Sequence, residues 1–153
     1  MLFRVCALAV ALVASIPAPL ANYRSWTRLT SEPRRISYDL SAQCMSVAVA
    51  ERGPHADRWV MTYANSVALA ALKSDGTFPP GAVIAKEKLT RADAVHPEGV
   101  AFMLKHGKGE LAKSGDWEFL YYPSAGAASR YDRCVACHRA GAAHDYVFSS
   151  YKR

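Results

Sequence analysis

From Trp59 to Ala64 the chain alternates, with Trp59, Met61 and Tyr63 on one side of an extended backbone and Val60, Thr62 and Ala64 on the other. That is the period of two that a strand imposes. Asn65 or Ser66 then caps a short helix through Val67, Ala68, Leu69, Ala70, Ala71 and Leu72, which Asp75-Gly76 stops. After the turn Phe78-Pro79-Pro80-Gly81, the run Ala82-Val83-Ile84-Ala85-Lys86-Glu87-Lys88-Leu89 predicts a second strand, and Val100 to Lys105 a third. Asp116 to Tyr122 predicts a fourth, with Trp117, Phe119 and Tyr121 on one face and Glu118, Leu120 and Tyr122 on the other. Lys105-His106-Gly107-Lys108-Gly109 reads as the loop between the last two. Elsewhere the pattern is weaker. Tyr23 to Leu29 predicts a short amphipathic helix closed off by Pro33 and Arg34-Arg35, and Leu40 to Ala50 fits a strand or a helix equally well before the turn signal Gly53-Pro54-His55. Four strands separated by short helices and turns, without regular βαβ spacing, predict a single α+β domain, mostly antiparallel β-sheet with flanking short helices. There is no internal repeat.

The N-terminus follows a different rule. Met1-Leu2-Phe3-Arg4 leads into an apolar run from Val5 to Ile16 and then into the small, proline-broken Pro17-Ala18-Pro19-Leu20-Ala21, the layout of a secretory signal peptide over residues 1–21. The run lacks the polar face of an amphipathic helix and, at about a dozen residues, is short of the roughly 20 needed to span a membrane. The expectation is export to the periplasm without a membrane anchor, with residues 22–153 as the mature domain. Pro19 fits the small-residue rule before a cut poorly, so a junction a few residues to either side stays open.

Composition changes the picture in two ways. At 153 residues, 51 % hydrophobic and 21 % charged, with 9 Gly and 8 Pro, the chain suits one folded domain and excludes low-complexity or collagen-like classes. The formal charge of +6 bears on solubility and on encounter with acidic partners rather than on fold, and no nucleic-acid partner is expected. The 4 cysteines admit two disulfides, a zinc site or neither. Their positions decide among these, because Cys6 lies in the leader and Cys44 stands alone, while Cys134-Val135-Ala136-Cys137-His138 is the attachment pattern of a c-type haem.

The chemistry explains that spacing. Two thiols three positions apart can each add to one vinyl group of a single porphyrin, and the adjacent histidine then ligates the iron. From this composition the pattern arises by chance only about three times in a thousand such chains. Attachment takes place outside the cytoplasm, which the leader supplies independently. A zinc site wants further ligands, and only His144 follows. A thioredoxin-like pair wants a βαβ context, and a plain disulfide leaves His138 unexplained. The cofactor expected is one covalent haem c on Cys134 and Cys137, with His138 as the proximal iron ligand. Candidates for the opposite position are Met45, Met61, Met103, His55, His96, His106 and His144. Met61 and Met103 read equally as core residues, the histidines at 55, 96 and 106 as exposed loop residues, and His144 lies too close to His138 in sequence to reach the far side of the haem. Cys44 reads as a buried small hydrophobe or as half of an intersubunit disulfide.

The order of these motifs resembles the cytochrome P-460 family, which includes cytochrome c prime beta, over most of the mature chain. The resemblance rests on Tyr23-Arg24-Ser25-Trp26, on Phe78 through Lys88, on Gly115 through Tyr122, and on Cys134 to His138 followed by Asp145-Tyr146-Val147-Phe148. It implies a periplasmic mono-haem protein of mostly antiparallel β structure, often a homodimer, whose iron keeps an open or water-filled sixth position. It also points to Lys86, which matches the lysine that in some members bonds covalently to the porphyrin rim; otherwise Lys86 is a solvated strand lysine. Members that oxidise hydroxylamine carry a carboxylate shortly after the proximal histidine. Here Arg139-Ala140-Gly141-Ala142-Ala143 intervenes and the nearest carboxylate is Asp145. Without a positioned base, proton-coupled oxidation loses a factor of about 10² to 10⁴.

Two functional classes follow. One is a haem protein with an open site that binds or turns over nitric oxide, hydroxylamine or a similar ligand, a haem oxidoreductase if it is an enzyme, with Phe78, Phe102 and Phe119 as candidates for an apolar distal wall. The other is an electron-transfer cytochrome with a six-coordinate iron that docks an acidic redox partner protein. A non-haem domain with a disulfide at Cys134 and Cys137 is a third reading.

Overall fold

A computed structural model of the chain describes residues 15–36, 57–74, 77–125, 128–130 and 132–148. Cys6, Cys44, Met45, His55 and the ambiguous run Leu40 to Ala50 lie outside the described residues. The N-terminal segment begins with helix α1 (Ala18–Ala21), a 3₁₀ turn (Tyr23–Ser25) and the short strands β1 (Thr27–Arg28) and β2 (Arg34–Ile36). Four long strands follow, β3 (Arg58–Ala64), β4 (Val83–Leu89), β5 (Gly99–Lys105) and β6 (Trp117–Pro123), each within a residue or two of its predicted bounds. Helix α2 (Ser66–Ser74) joins β3 to β4; after β6 come β7 (Ser129–Arg130), helix α3 (Asp132–His138) and a 3₁₀ segment (Arg139–His144).

All pairings are antiparallel, in the order β1-β3-β4-β5-β6-β7, with β2 also pairing with β3. The α+β architecture is the one the alternation predicts. The exception is Tyr23 to Leu29. Instead of an amphipathic helix, this stretch makes one 3₁₀ turn and then pairs Thr27 and Arg28 with Ala64 and Tyr63. A stretch this short has little intrinsic helix stability, and cross-strand pairing wins.

The register sorts side chains onto two faces. Thr62 lies opposite Lys86 and Lys86 opposite Ala101, whereas Met61 lies opposite Glu87 and Glu87 opposite Val100. On the front face, α2 and the C-terminal segment bury Ala64, Ala68, Leu72, Phe78, Ile84, Trp117, Phe119 and Val147 together. On the back, Leu20 and Tyr23 cover Met61, Tyr63, Ala85, Val100 and Phe102. Glu87, buried on that side, accepts hydrogen bonds from the Tyr23 hydroxyl at 2.7 Å and from Arg24 Nε. Helix α2 starts where predicted because Asn65 Oδ1 accepts the Ala68 N–H at 2.9 Å, an N-cap contact.

Candidate functional site

The front face carries a cleft between the sheet and α3. Alternation along β4 places Ile84, Lys86 and Lys88 on its wall, β5 contributes Ala101 and Met103, and β6 contributes Phe119 and Tyr121. Cys134 and His138 of α3 close it.

His138 is 7 % exposed and held on three sides. The rings of Phe119 and Phe148 flank it at 5.0 and 5.2 Å, and its Nδ1 lies 2.8 Å from the Tyr146 carbonyl oxygen. A carbonyl only accepts, so the proton sits on Nδ1 and the lone pair on Nε2. Burial, reinforced by the charge of Lys86, pushes the His138 pKa down to about 4. The ring is therefore neutral near pH 7, the form that ligates a metal.

Burial also pushes the Cys134 thiol up to about 11 against the pull of Lys88 and Lys86. Cys137 is half-buried one helical turn from Cys134, on the same side of α3. Lys86 lines the cleft as the alternation requires. Lys88 is the more deeply placed of the two at 1 % exposure, its Nζ 3.5 Å from the centre of the Tyr121 ring. Burial depresses its pKa to about 8, partly opposed by Cys134 and Glu98.

The other expected residues divide cleanly. Met103 lines the cleft, while Met61 is buried on the back face, where Thr30 Oγ1 donates to its sulfur. His96 and His144 are exposed, and His106 Nε2 is 2.8 Å from a Glu118 carboxylate oxygen. Among the expected wall residues, Phe119 faces the cleft. Phe78 is instead packed edge-on against Trp117 in the front core; Phe102 also lines the cleft, while its ring packs against Tyr23 and Tyr122 behind the sheet. Asp145 is no base for this cleft, since its carboxylate takes hydrogen bonds from Lys105 Nζ at 2.6 Å and the Phe78 N–H at 2.8 Å.

An available imidazole nitrogen, a thiol on the same wall and largely apolar sides fit a haem ligated by His138. Among the described residues no three His, Cys, Asp or Glu side chains gather into any other metal site. A family model described as Cytochrome P460 matches residues 20–149. The chain belongs to the cytochrome P460 family. Membership implies a haem cofactor, and the residues matched include every strand of the sheet and the whole of the cleft. No curated protein matches the chain. In this cytochrome P460, Lys86, Cys134 and His138 line one cleft. Lys88, Ile84 and Tyr121 were not singled out from the sequence, although the same alternation that turns Lys86 and Phe119 into the cleft carries the residues two positions away to the same side.

Proposed function

We propose that this cytochrome P460 is an exported mono-haem c protein that binds a small nitrogen-oxide ligand such as nitric oxide or hydroxylamine at an iron held by His138. An apolar N-terminal leader directs the chain to the periplasm, its cut upstream of Ile16 and Leu20, which pack in the back core, rather than after Ala21; among the described residues no helix is long and apolar enough to cross a membrane. Cys134 and Cys137 anchor the porphyrin as thioethers, and Lys86 contacts its edge. The haem supplies a redox-active iron with a coordination position beyond His138. The chain holds His138 neutral with Nε2 available and lines the cleft with the apolar side chains of Ile84, Ala101 and Phe119.

The observation that carries this reading is the cleft itself, apolar on most sides and open beside the unused nitrogen of His138. The fixed position of Asp145 favours ligand binding over hydroxylamine oxidation, because the first carboxylate after the haem motif is already engaged by Lys105 and Phe78. Intact mass of the exported protein, followed by haem-peptide mapping, is expected to show haem on the peptide carrying Cys134 and Cys137, and reads any third bond at Lys86 directly. The ferric spectrum is expected to be high-spin and to respond to nitric oxide; a low-spin iron indifferent to ligand overturns the open-site reading.

One observation favours a second reading. Met103 lines the cleft, and a thioether is a usual sixth ligand in electron-transfer cytochromes. In that case the protein is a six-coordinate carrier for an acidic redox partner, and Met103→Ala converts an unresponsive spectrum into a ligand-binding one.

A further inference from the structure

The segment after the haem motif does more than end the chain's core. Asp145 (φ 53°) and Tyr146 (φ 63°) are consecutive left-handed residues, a conformation that costs a tyrosine in particular. Around them the donors converge on one residue. Lys105 Nζ donates to Asp145 Oδ1 at 2.6 Å and to the Gly115 carbonyl at 2.8 Å; the Phe78 N–H donates to Asp145 Oδ2 at 2.8 Å; and Trp117 Nε1 donates to the Asp145 carbonyl at 2.8 Å. The Tyr146 ring fills the space a side chain on Gly115 would take. The Lys105 and Asp145 side chains are 8 % and 13 % exposed. A buried ion pair is weak evidence for stability, since apolar residues of similar volume commonly serve as well or better. What this pair accomplishes is positional: it holds a strained turn in which the next carbonyl, that of Tyr146, accepts the Nδ1 proton of His138 at 2.8 Å.

We infer that Asp145, clamped by Lys105, is a positioning residue that sets the strength of His138 as an iron ligand. This rests on the haem reading above. The hydrogen bond from Nδ1 makes the imidazole a more basic donor through Nε2, and a partner of this kind is as much a part of a metal site as the ligand. A stronger donor favours the ferric over the ferrous iron and stiffens the iron–nitrogen bond. Asp145 achieves this from outside the cleft lining, by fixing where one backbone carbonyl points.

The test uses the full-length, haem-loaded protein and two variants. Asp145→Asn suits a left-handed backbone and keeps an acceptor for Phe78 but removes the charge; Lys105→Met removes the other half of the clamp and stands in if the first does not fold. Intact mass first establishes that parent and variants carry haem. Both variants are then expected to show a lower iron–histidine stretching frequency in resonance Raman spectra of the ferrous form and a higher reduction potential, the two shifts moving together. Haem-loaded variants whose frequency and potential equal those of the parent overturn the positioning role and leave Asp145 a tie between segments. A parent without haem overturns both this inference and the haem reading beneath it.

Discussion

Lys88 places an ammonium at 1 % exposure beside an aromatic ring, where the attraction of Glu98 offsets only part of the cost of burial. Its pKa of about 8 against 10.5 for an ordinary lysine converts, at 1.36 kcal/mol per unit, to a cost of about 3 kcal/mol for keeping the folded protein charged. The sign follows from proton counting. Below about pH 8 both folded and unfolded chains hold the proton and the full cost is present. Between about 8 and 10.5 the unfolded chain still holds a proton that the folded chain has released, so stability rises with pH. Tyr23 and Tyr63, raised by burial and by Glu87, act oppositely above about pH 10, where the unfolded tyrosines ionise first. Denaturant midpoints of the haem-loaded protein are therefore expected to climb from pH 7.5 to 9.5 by an amount attributable to Lys88. Lys88→Met should raise stability at pH 7 by about 3 kcal/mol and flatten the climb; a variant that is less stable at pH 7 shows instead that the attraction of Glu98 and the contact with the Tyr121 ring outweigh the cost of burial. At this scale the site was partly legible. Cys134, Cys137 and His138 lie within one short motif, so their chemistry is written locally, whereas Lys86 stands out only through the family resemblance. The Asp145 turn joins residues from β5, β6 and the segment before β4 through positive-φ backbone, and no spacing in the sequence announces it.

At the scale of elements, the long strands were legible because runs of β-compatible residues lie between turn signals, with clear alternation at Trp59 to Ala64 and at Trp117 to Tyr122. The 3₁₀ turn at Tyr23 and the two-residue strands β1 and β7 carry no period at all. Helix α2 depends on one residue more than its length suggests. Asn65 Oδ1 accepts both the Ala68 N–H and the Val83 N–H at 3.0 Å, and Nδ2 donates to the Gly81 carbonyl at 2.9 Å, so a single side chain ties the helix start to the start of β4. Asn65→Ala should cost about 2 kcal/mol, roughly one for the cap and one for the stranded groups beyond it, measured by urea unfolding. A loss under about 0.5 kcal/mol would show that water replaces the side chain without penalty. The N-terminal segment gives a second element-scale expectation. Leu20 is 6 % exposed in the back core and Ile16 packs against the same cluster. A chain beginning at Asn22 should thus be less stable than one beginning at Ser15 by about 2 kcal/mol, the worth of one buried leucine. Equal midpoints for the two chains would show that the sheet does not rely on that cover.

For the whole molecule, the two faces of the sheet have different jobs. The back cluster is closed by protein alone, through Leu20, Tyr23 and the Glu87 hydrogen bonds. The front is divided between a core under α2, built on Phe78, Ile84 and Trp117, and the cleft between α3 and the sheet. Stability in such a molecule is not uniform, and segments with few apolar contacts of their own open first. On the proposed function, the segment 132–148 is the one that a covalent haem would staple, since it holds both thiols, His138 and the turn whose Tyr146 carbonyl accepts from the His138 ring. A Cys134→Ala, Cys137→Ala double variant should accordingly keep its sheet, with amide exchange in β3, β4 and β5 close to that of the haem-loaded parent, while exchange across 132–148 quickens by at least tenfold, corresponding to about 1.4 kcal/mol of lost local protection. Hydrogen exchange followed by mass spectrometry resolves these regions separately. Uniform acceleration across all strands would mean that the front and back cores fold only as one unit with the haem, and unchanged exchange at 132–148 would mean that the Asp145 turn and the aromatic clamp of His138 suffice to hold the segment without it.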